Sequence, residues 1–362
     1  MMLGHPGSAV RWWLLWAAIP YGIISALRAR CYQRGWLTQR RLPVPVISVG
    51  NLTVGGTGKT PTVIKLVEWL LAEGKRVAVL SRGYRRTSRV RHLLVSDGER
   101  ILVGAEDAGD EPYLIAARCP KAVVAVGPDR YELGRWVLSR FRVDCLLLDD
   151  GFQHLALHRD VDLLLVDATD LNGLSAVVPA GRLREPLTAA ARASLIVVTR
   201  AEQPVQVGQV IDRLRNAVGP IPEPAQIVFR PEGLVSLQNG AVESASWCRG
   251  KTALLCSGIG HAESFHATAS RLGIRVLGEA RYPDHHTYTA ADIEQVRRRA
   301  EGLKVECIVT TEKDAGKLKP LLTPTDHGWL AVRLGTEVVA GEDRLRELVF
   351  RESMRITAGT CA

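Results

Sequence analysis

Short apolar runs alternate with stretches of helical spacing through most of the chain. The runs predict strands at 45–49, 76–81, 122–126, 144–150, 162–167 and 194–199. After the first run, apolar residues from Val63 to Leu71 recur at helical spacing and predict a helix over 61–73. Strands that are apolar on both faces and alternate with helices indicate a parallel sheet covered on both sides. The pattern predicts a doubly wound α/β domain over residues 43–222.

A proline-rich segment at 219–225 interrupts this pattern. Beyond it, three further runs predict strands, and a helix is predicted over 290–301; the runs are "TALLCSGIG", "RVLGEARYPDHHTYT" and "ECIVTTEKD". We therefore expect a second, smaller α/β domain within residues 223–362.

The N-terminal pattern is different, because residues 12–27 are almost entirely apolar and contain three tryptophans. The run is shorter than the ~20 residues that span a bilayer, and arginines follow it from Arg28 to Arg41. Tryptophan favours the headgroup level of a membrane, and arginine favours anionic lipid. We predict a membrane-associated helix within an N-terminal segment of residues 1–42. A signal peptide and a buried core helix are the alternatives.

Composition narrows the class of protein. Hydrophobic residues make up 46% of the 362 residues and charged residues 23%, which is typical of a globular protein with a substantial core. The seven cysteines are scattered and odd in number, which argues against a disulfide framework and a zinc site. The net charge of +9 requires an anionic partner, such as a nucleic acid, a membrane surface or a phosphorylated substrate.

A glycine-rich segment, "GGTGKT" at 55–60, lies between the first predicted strand and helix. Successive glycines let backbone N–H groups turn toward an anion, and the N-terminus of the helix adds a positive partial charge. Lys59 has the reach for the β- and γ-phosphates, and the Thr60 hydroxyl is a ligand for Mg²⁺. The segment predicts a phosphate-binding (P-loop) site for ATP, formed by Thr53, Val54, Gly55, Gly56, Thr57, Gly58, Lys59 and Thr60.

Two positions depart from the usual patterns of such loops. Thr53 stands where the common pattern has its first glycine, and the glycine pair at 55 and 56 is similar to the variant loop of partition ATPases. That variant has a lysine directly before the pair, where this chain has Val54. A glycine-rich turn with an incidental lysine is the alternative interpretation.

Other candidate residues lie in polar segments after or between strands. The apolar run "CLLL" is followed by Asp149 and Asp150, from where a carboxylate can reach Mg²⁺ beside a phosphate-binding loop. A strand that ends in a polar turn is the alternative. Each remaining segment is compatible with a solvated loop; they are "GDEP" with Asp110 and Glu111, "PDHH" with Asp284, His285 and His286, "GRLREP" with Arg182, Arg184 and Glu185, and the basic run at 81–92.

Seven segments occur in a fixed order behind the apolar, basic N-terminus: "GNLTVGGTGKTP", "SRGYRR", "GDEP", "LLDDGFQH", "PAGRLREP", "YPDHHTYT" and "TTEKDAGK". This order, from about residue 12 to residue 317, resembles the tetraacyldisaccharide 4'-kinases of lipid A biosynthesis. The resemblance implies transfer of the γ-phosphate of ATP to the 4'-hydroxyl of tetraacyldisaccharide 1-phosphate, with Mg²⁺, to form lipid IVA. It also implies two α/β domains that close over the nucleotide, and a peripheral position on the cytoplasmic face of the bacterial inner membrane.

The resemblance further implies roles for individual residues. Asp110 and His285 would form a catalytic dyad, with His286 as the other candidate partner. Lys59 and Arg184 would act on the transferred phosphate. The implied metal-site residues are Thr60, Glu111, Asp149, Asp150 and Glu185, and the choice between the two adjacent aspartates stays open.

The residues alone leave two other classes open. One is a partition or metallochaperone ATPase, and the other is a membrane-bound nucleotide-binding module without catalysis. As partners we expect the lipid substrate and anionic inner-membrane lipids, with no nucleic acid and no obligate protein partner.

Overall fold

A computed structural model describes residues 12–354, except residues 261 and 327. The helices are α1 (Leu15–Gln33), α2 (Lys59–Ala72), α3 (Ala105–Ala108), α4 (Asp110–Arg118), α5 (Arg130–Leu138), α6 (Pro204–Val218), α7 (Ala245–Cys248), α8 (Ala262–Arg271), α9 (Ala290–Leu303), α10 (Glu312–Leu318) and α11 (Glu342–Met354). The strands are β1 (Val46–Asn51), β2 (Val77–Ser81), β3 (Leu93–Asp97), β4 (Val123–Val126), β5 (Cys145–Asp149), β6 (Val161–Asp167), β7 (Leu195–Thr199), β8 (Ala225–Ser236), β9 (Val242–Ser244), β10 (Thr252–Ser257), β11 (Arg275–Arg281), β12 (Cys307–Thr311) and β13 (Trp329–Ala340).

Within the described residues, all these strands belong to one sheet. Their order is β11-β10-β12-β13-β8-β7-β6-β1-β5-β2-β4-β3, and β9 pairs with β8 outside this path. Every neighbouring pair from β7 to β4 is parallel, which confirms the six predicted strands of the first α/β unit. The antiparallel edge strand β3 was not predicted.

Helices cover both faces of this parallel region because its strands are apolar on both faces. On one face, α2 and α4 bury Val63, Leu66 and Ile115 against alternate strand residues. On the other face, α5 buries Leu133 and Val137 against the intervening strand residues. The predicted α/β class with a doubly wound region is therefore confirmed.

The second group of strands is joined to the first by a long antiparallel pair. β10, β11, β12 and β13 are mutually parallel, as the predicted α/β pattern requires, and β13 pairs along its length with β8. The sheet is thus continuous across the boundary predicted near residue 222. The last helix, α11, packs Leu345 and Val349 into the core of the first unit, although the predicted second domain extends over 223–362. A helix from the C-terminal part of the chain therefore completes the core of the first unit.

The carboxyl-terminal edges of the two groups of parallel strands meet. β8 is parallel to β7 and antiparallel to β13, so the two groups run in opposite directions along the sheet. Register shifts interrupt the β8–β13 pair near Arg333 and near Val338. Arg118 of α4 donates to the carboxylate of Glu312 in α10 at 2.9 Å, and Thr336 of β13 donates to the carbonyl of Pro61 in α2 at 3.2 Å. These contacts join α4 to α10 and α2 to β13.

Helix α1 lies at the surface and keeps most of its apolar side chains exposed. Only the small residues Ala18 and Gly22 are buried, and Gly22 lies against Val177 and Pro186. Trp16 is 75% exposed and Ile24 67%. The alternative of a buried core helix is therefore wrong. Among the described residues, no helix has the length and apolar character needed to cross a membrane. Residues 1–11 of the predicted N-terminal segment lie outside the described part of the chain.

Candidate active site

The glycine-rich segment forms a tight loop between β1 and α2. Gly55 and Gly58 have positive φ angles of 125° and 80°, which side chains rarely tolerate. A Cβ on Gly58 would also lie 2.2 Å from the ring of Phe229. The predicted order of strand, loop and helix is confirmed. Lys59 and Thr60 occupy the first turn of α2, where the free N–H groups and the helix dipole favour an anion.

Neighbouring segments hold this loop on both sides. The Val54 N–H donates to the carbonyl of Arg182 at 2.8 Å, and the Arg182 guanidinium donates back to the Val54 carbonyl. On the other side Arg200 donates to the carbonyl of Gly56 and forms an ion pair with Asp167. Val54, which replaces the lysine of the partition-ATPase pattern, is exposed and is held through its backbone. The loop is therefore ordered by protein contacts before any anion binds.

The ammonium group of Lys59 lies between two oxygen acceptors. Its Nζ is 3.2 Å from Oδ1 of Asn51 and 3.6 Å from Oδ1 of Asp150. Lys59 is thus held close to the end of the strand that carries the two predicted acids.

Asp149 and Asp150 stand at the end of β5, which is hydrogen-bonded to β1, and they have different surroundings. Asp149 is buried and accepts a hydrogen bond from Ser81 at 3.1 Å. Its burial, together with the negative charges of Asp150 and Glu111, raises its pKa to about 6. Burial alone would also raise the pKa of Asp150, but the charges of Lys59 and Arg184 outweigh it and hold that pKa below its ordinary value. Asp150 is therefore the carboxylate that stays charged across the physiological range.

Arg184 and Glu185 are neighbours in sequence but face different partners. Arg184 donates to both oxygens of Asp150 at 3.0 and 2.9 Å, and its carbonyl accepts from the Tyr21 hydroxyl of α1. Glu185 is buried and accepts two hydrogen bonds from Arg192 at 2.7 and 2.8 Å. Arg184 thus lies beside Asp150, a candidate metal ligand, whereas the carboxylate of Glu185 is paired with the guanidinium of Arg192.

Asp110 and His285, the two residues of the implied dyad, are in direct contact. Nδ1 of His285 lies 2.9 Å from Oδ2 of Asp110, and both side chains are largely buried. Asp110 is the first residue of α4, and Glu111 follows it. His285 has a positive φ of 62°, in the loop after β11, and its N–H donates to the carbonyl of Gly258. The contact therefore joins the start of α4 in the first unit to the loop after β11 in the second.

His286 points to a different set of partners. Its ring stacks on Tyr282 with centroids 4.6 Å apart, and Nε2 lies 3.3 Å from Oδ2 of Asp292. Asp292 also forms the capping box of α9 with Thr289. His285 is therefore the histidine in contact with Asp110, and His286 contacts Asp292 instead.

Two lysines from "TTEKDAGK", to which no role was assigned from the sequence, complete the site. Nζ of Lys313 lies 3.3 Å from Nε2 of His285 and 3.6 Å from Glu111. Nζ of Lys317 lies 3.1 Å from Oδ2 of Asp110. Their presence in a segment of the family pattern was the available signal, but the sequence alone does not indicate which acids they contact.

The donor set near the loop consists of hydroxyl and carboxylate oxygens. Among the residues that the structure describes, no three His, Cys, Asp or Glu side chains converge closely enough to bind a metal without help. Mg²⁺ usually takes only one or two carboxylates, and waters and substrate phosphates complete its shell. Thr60, Asp149 and Asp150 fit that requirement chemically, and Glu111 is close enough to influence the pKa of Asp149.

The chain is similar to known proteins along nearly its whole length. The family model described as "Tetraacyldisaccharide-1-P 4'-kinase" matches residues 10–353. The tetraacyldisaccharide 4'-kinase of Pelobacter propionicus is 41% identical over 316 residues, covering 87% of this chain and 85% of the relative. That of Anaeromyxobacter sp. strain Fw109-5 is 41% identical over 330 residues, covering 89% and 86%. The crystal structure of LpxK from Aquifex aeolicus in complex with ATP superposes with a TM-score of 0.77 at 33% identity, covering 94% of this chain and 99% of that one. A match of this extent in sequence and in fold establishes that the chain belongs to the tetraacyldisaccharide 4'-kinase family.

Proposed function

We propose that this kinase transfers the γ-phosphate of ATP to the 4'-hydroxyl of tetraacyldisaccharide 1-phosphate, which forms lipid IVA in lipid A biosynthesis. The observation that carries the proposal is the Asp110–His285 contact, in a chain of this family that also has a glycine-rich loop before α2. A hydrolytic ATPase has no need of a buried base for a sugar hydroxyl.

The nucleotide phosphates would lie on residues 53–58 and on the first turn of α2. Backbone N–H groups of the loop would bind the phosphate oxygens, and Lys59 would move from Asp150 toward the β- and γ-phosphates. Arg184, now paired with Asp150, would neutralise charge on the transferred group. Because phosphoryl transfer depends chiefly on positioning and charge neutralisation, these cations account for much of the expected rate enhancement.

Mg²⁺ would be held by the Thr60 hydroxyl and by Asp149 or Asp150, with Glu111 nearby. When bound, the ion neutralises phosphate charge and orients the transferred group. A metal-site role for Glu185 requires its carboxylate to leave Arg192, so we place it last among the proposed ligands.

His285 would act as the general base. The Asp110 carboxylate accepts the hydrogen bond from Nδ1, which leaves Nε2 to take the proton of the 4'-hydroxyl. The hydroxyl oxygen forms a bond to the γ-phosphorus while the bond from phosphorus to the bridging oxygen breaks, and ADP leaves with that electron pair. Nε2 is 3.3 Å from Lys313, so the incoming hydroxyl has to displace this ammonium group.

The two α/β units would close over the nucleotide, because the dyad takes one residue from each. Enclosing the nucleotide in this way would limit the reaction of ATP with water before the lipid binds.

The lipid substrate requires the enzyme to work at a membrane. We place it on the cytoplasmic face of the bacterial inner membrane, held by the exposed apolar side chains of α1 and by the arginines that follow, which attract anionic lipid. A groove of about 530 Å³ between α1 and residues 185–192 opens beside this surface.

The test is an incubation of the purified chain with ATP labelled in the γ-phosphate, Mg²⁺ and tetraacyldisaccharide 1-phosphate in detergent micelles. We expect label on the lipid, dependent on both the lipid and the metal. Label that appears only as free phosphate would instead identify an ATPase, and bound but unreacted ATP would identify a binding module.

A further inference from the structure

Lys317 is a buried cation in contact with the dyad. Only 5% of its side chain is exposed, and its Nζ lies 3.1 Å from Oδ2 of Asp110 and 3.8 Å from Oδ1 of Asp314. A buried ammonium group is costly to desolvate unless it is paired, and here two carboxylates pair it. Lys317 belongs to α10 and Asp110 to α4, so this ion pair also joins the two units.

Asp314 anchors this lysine to the backbone that holds His285. The buried Asp314 carboxylate accepts from the N–H of Gly258 at 3.1 Å and from the Thr311 hydroxyl at 2.7 Å. The carbonyl of Gly258 accepts from the N–H of His285 at 3.1 Å. Lys317 and His285 are therefore fixed by one small framework, and each presents a donor to Asp110.

Both donors meet the same oxygen of Asp110. Nδ1 of His285 and Nζ of Lys317 lie 2.9 and 3.1 Å from Oδ2. Two donors on one oxygen restrict the rotation of the carboxylate, and a fixed carboxylate fixes the plane of the imidazole and the nitrogen that carries its proton. Lys313, in contrast, is more exposed and contacts the opposite ring nitrogen, Nε2.

We propose that Lys317 is a positioning residue that holds Asp110 in the orientation needed to direct His285, without touching ATP or the lipid. The inference rests on the proposed function, since it needs His285 to be the base. It extends the dyad to a buried chain of four residues, Asp314, Lys317, Asp110 and His285.

The experiment compares Lys317→Met, which keeps most of the side-chain length and removes the charge, with Lys317→Arg, which keeps the charge. Both are made alone and together with His285→Ala, and lipid kinase kcat and KM for ATP are measured. Lys251→Met, which removes an exposed ion pair with Glu306, is the matched control. Thermal melting and ATP binding report on folding.

We expect Lys317→Met to lower kcat by about 10-fold or more. The loss should not exceed the contribution of the base itself, which is roughly 10²–10⁴-fold for a positioned base. KM for ATP should stay within about twofold of the parental value. Lys317→Arg should recover part of the loss, and Lys251→Met should behave like the parent. In the His285→Ala background, Lys317→Met should add little, because groups that act as one unit give non-additive losses.

Three results would overturn the inference. The first is that Lys317→Met keeps the parental kcat while His285→Ala is impaired. This result would contradict the role of Lys317 but not the proposed function. The second is an equal loss from Lys317→Met with and without His285. The third is a loss of kcat that follows a loss of ATP binding or melting temperature, the sign of a structural role. A fully active His285→Ala would instead contradict the proposed base itself.

Discussion

The imidazole of His285 lies 2.9 Å from the carboxylate of Asp110, although 175 residues separate the two along the chain. Because an ionised carboxylate only accepts hydrogen bonds, Nδ1 is the donor and Nε2 is left as the acceptor. We expect His285→Ala and Asp110→Ala each to lower lipid kinase kcat by roughly 10²–10⁴-fold, as for other positioned bases. The double variant should lose little more, since the two residues act together. Steady-state kinetics with saturating ATP measures this.

The matched control for the dyad is His286→Ala. His286 packs on Tyr282 and reaches Asp292 rather than Asp110, so its loss should change melting temperature more than kcat. If His286→Ala were the damaging change and His285→Ala harmless, the assignment of the base would be reversed.

Lys59 should be needed for catalysis and not for folding. Its ammonium group contacts only Asn51 and Asp150 among the described residues, and we expect ATP to take it from Asp150. Lys59→Ala should reduce lipid phosphorylation by at least about 100-fold, the usual cost of removing one preorganised donor from a transition state. Kinase assays of the variant measure the loss of catalysis, and circular dichroism checks that the fold is retained.

Lys65→Ala serves as the control, because Lys65 lies in the same helix but its ammonium group faces the ring of Trp69. Near-normal turnover of Lys59→Ala, or an equal loss in Lys65→Ala, would contradict the phosphate-binding role of the loop.

The sequence predicts the part of the site that is local. A buried strand, a glycine turn and an amphipathic helix are adjacent in the chain, so hydrophobic spacing is enough to place residues 53–60 at the edge of a parallel sheet. The acids Asp149 and Asp150 follow from the same logic, because β5 and β1 end at the same edge. The proximity of Asp110 and His285 came from the family resemblance and not from spacing.

The remaining features depend on tertiary contacts that no local pattern encodes. The strands β8 and β13 contain Pro231, Gly233 and charged residues, are only partly buried, and pair with each other across more than ninety residues of intervening chain. The burial of Lys317 and the pairing of Glu185 with Arg192 depend on partners from other segments. A charged residue is predicted to lie at the protein surface unless other evidence exists, so sequence analysis does not find these buried ion pairs.

The raised pKa of Asp149 predicts a conflict between function and stability. Burial and nearby negative charges raise its pKa to about 6, above the ordinary value near 3.9 expected in the unfolded chain. The folded protein then binds the proton more tightly, so this group lowers stability as pH rises from about 4 through 6. Asp149→Asn should stabilise the metal-free protein at pH 8 by up to ~3 kcal/mol, because two pKa units correspond to about that free energy. It should also lose kinase activity.

Thermal melting of both proteins at pH 5 and pH 8, without Mg²⁺, tests this expectation. The advantage of Asp149→Asn should be roughly half as large at pH 5 as at pH 8, because the free-energy penalty builds up between the pKa of the unfolded chain and that of the folded protein. Apparent Mg²⁺ affinity of the parent should weaken below about pH 6, since the proton competes for the same oxygen. A variant that melts lower than the parent at both pH values would contradict the assigned pKa shift.

Helix α1 should anchor the protein to membranes through its exposed apolar residues. Trp16 and Ile24 are 75% and 67% exposed, whereas Ala18 and Gly22 are the buried residues of the helix. Changing both exposed residues to Ser should leave the fold intact and weaken binding to anionic vesicles by 10-fold or more, since burial of each large apolar side chain contributes about 1.5–3 kcal/mol.

The matched control is the double variant Val205→Ser with Val242→Ser, which changes exposed apolar residues elsewhere in the chain. Co-sedimentation with vesicles in low and high salt separates the apolar contribution from that of the following arginines, because salt screens only the latter. Equal vesicle binding by the α1 variant and the control would place the anchor elsewhere in the chain. ATP binding should be unchanged in both, because all four residues are exposed and lie outside the loop at 53–60.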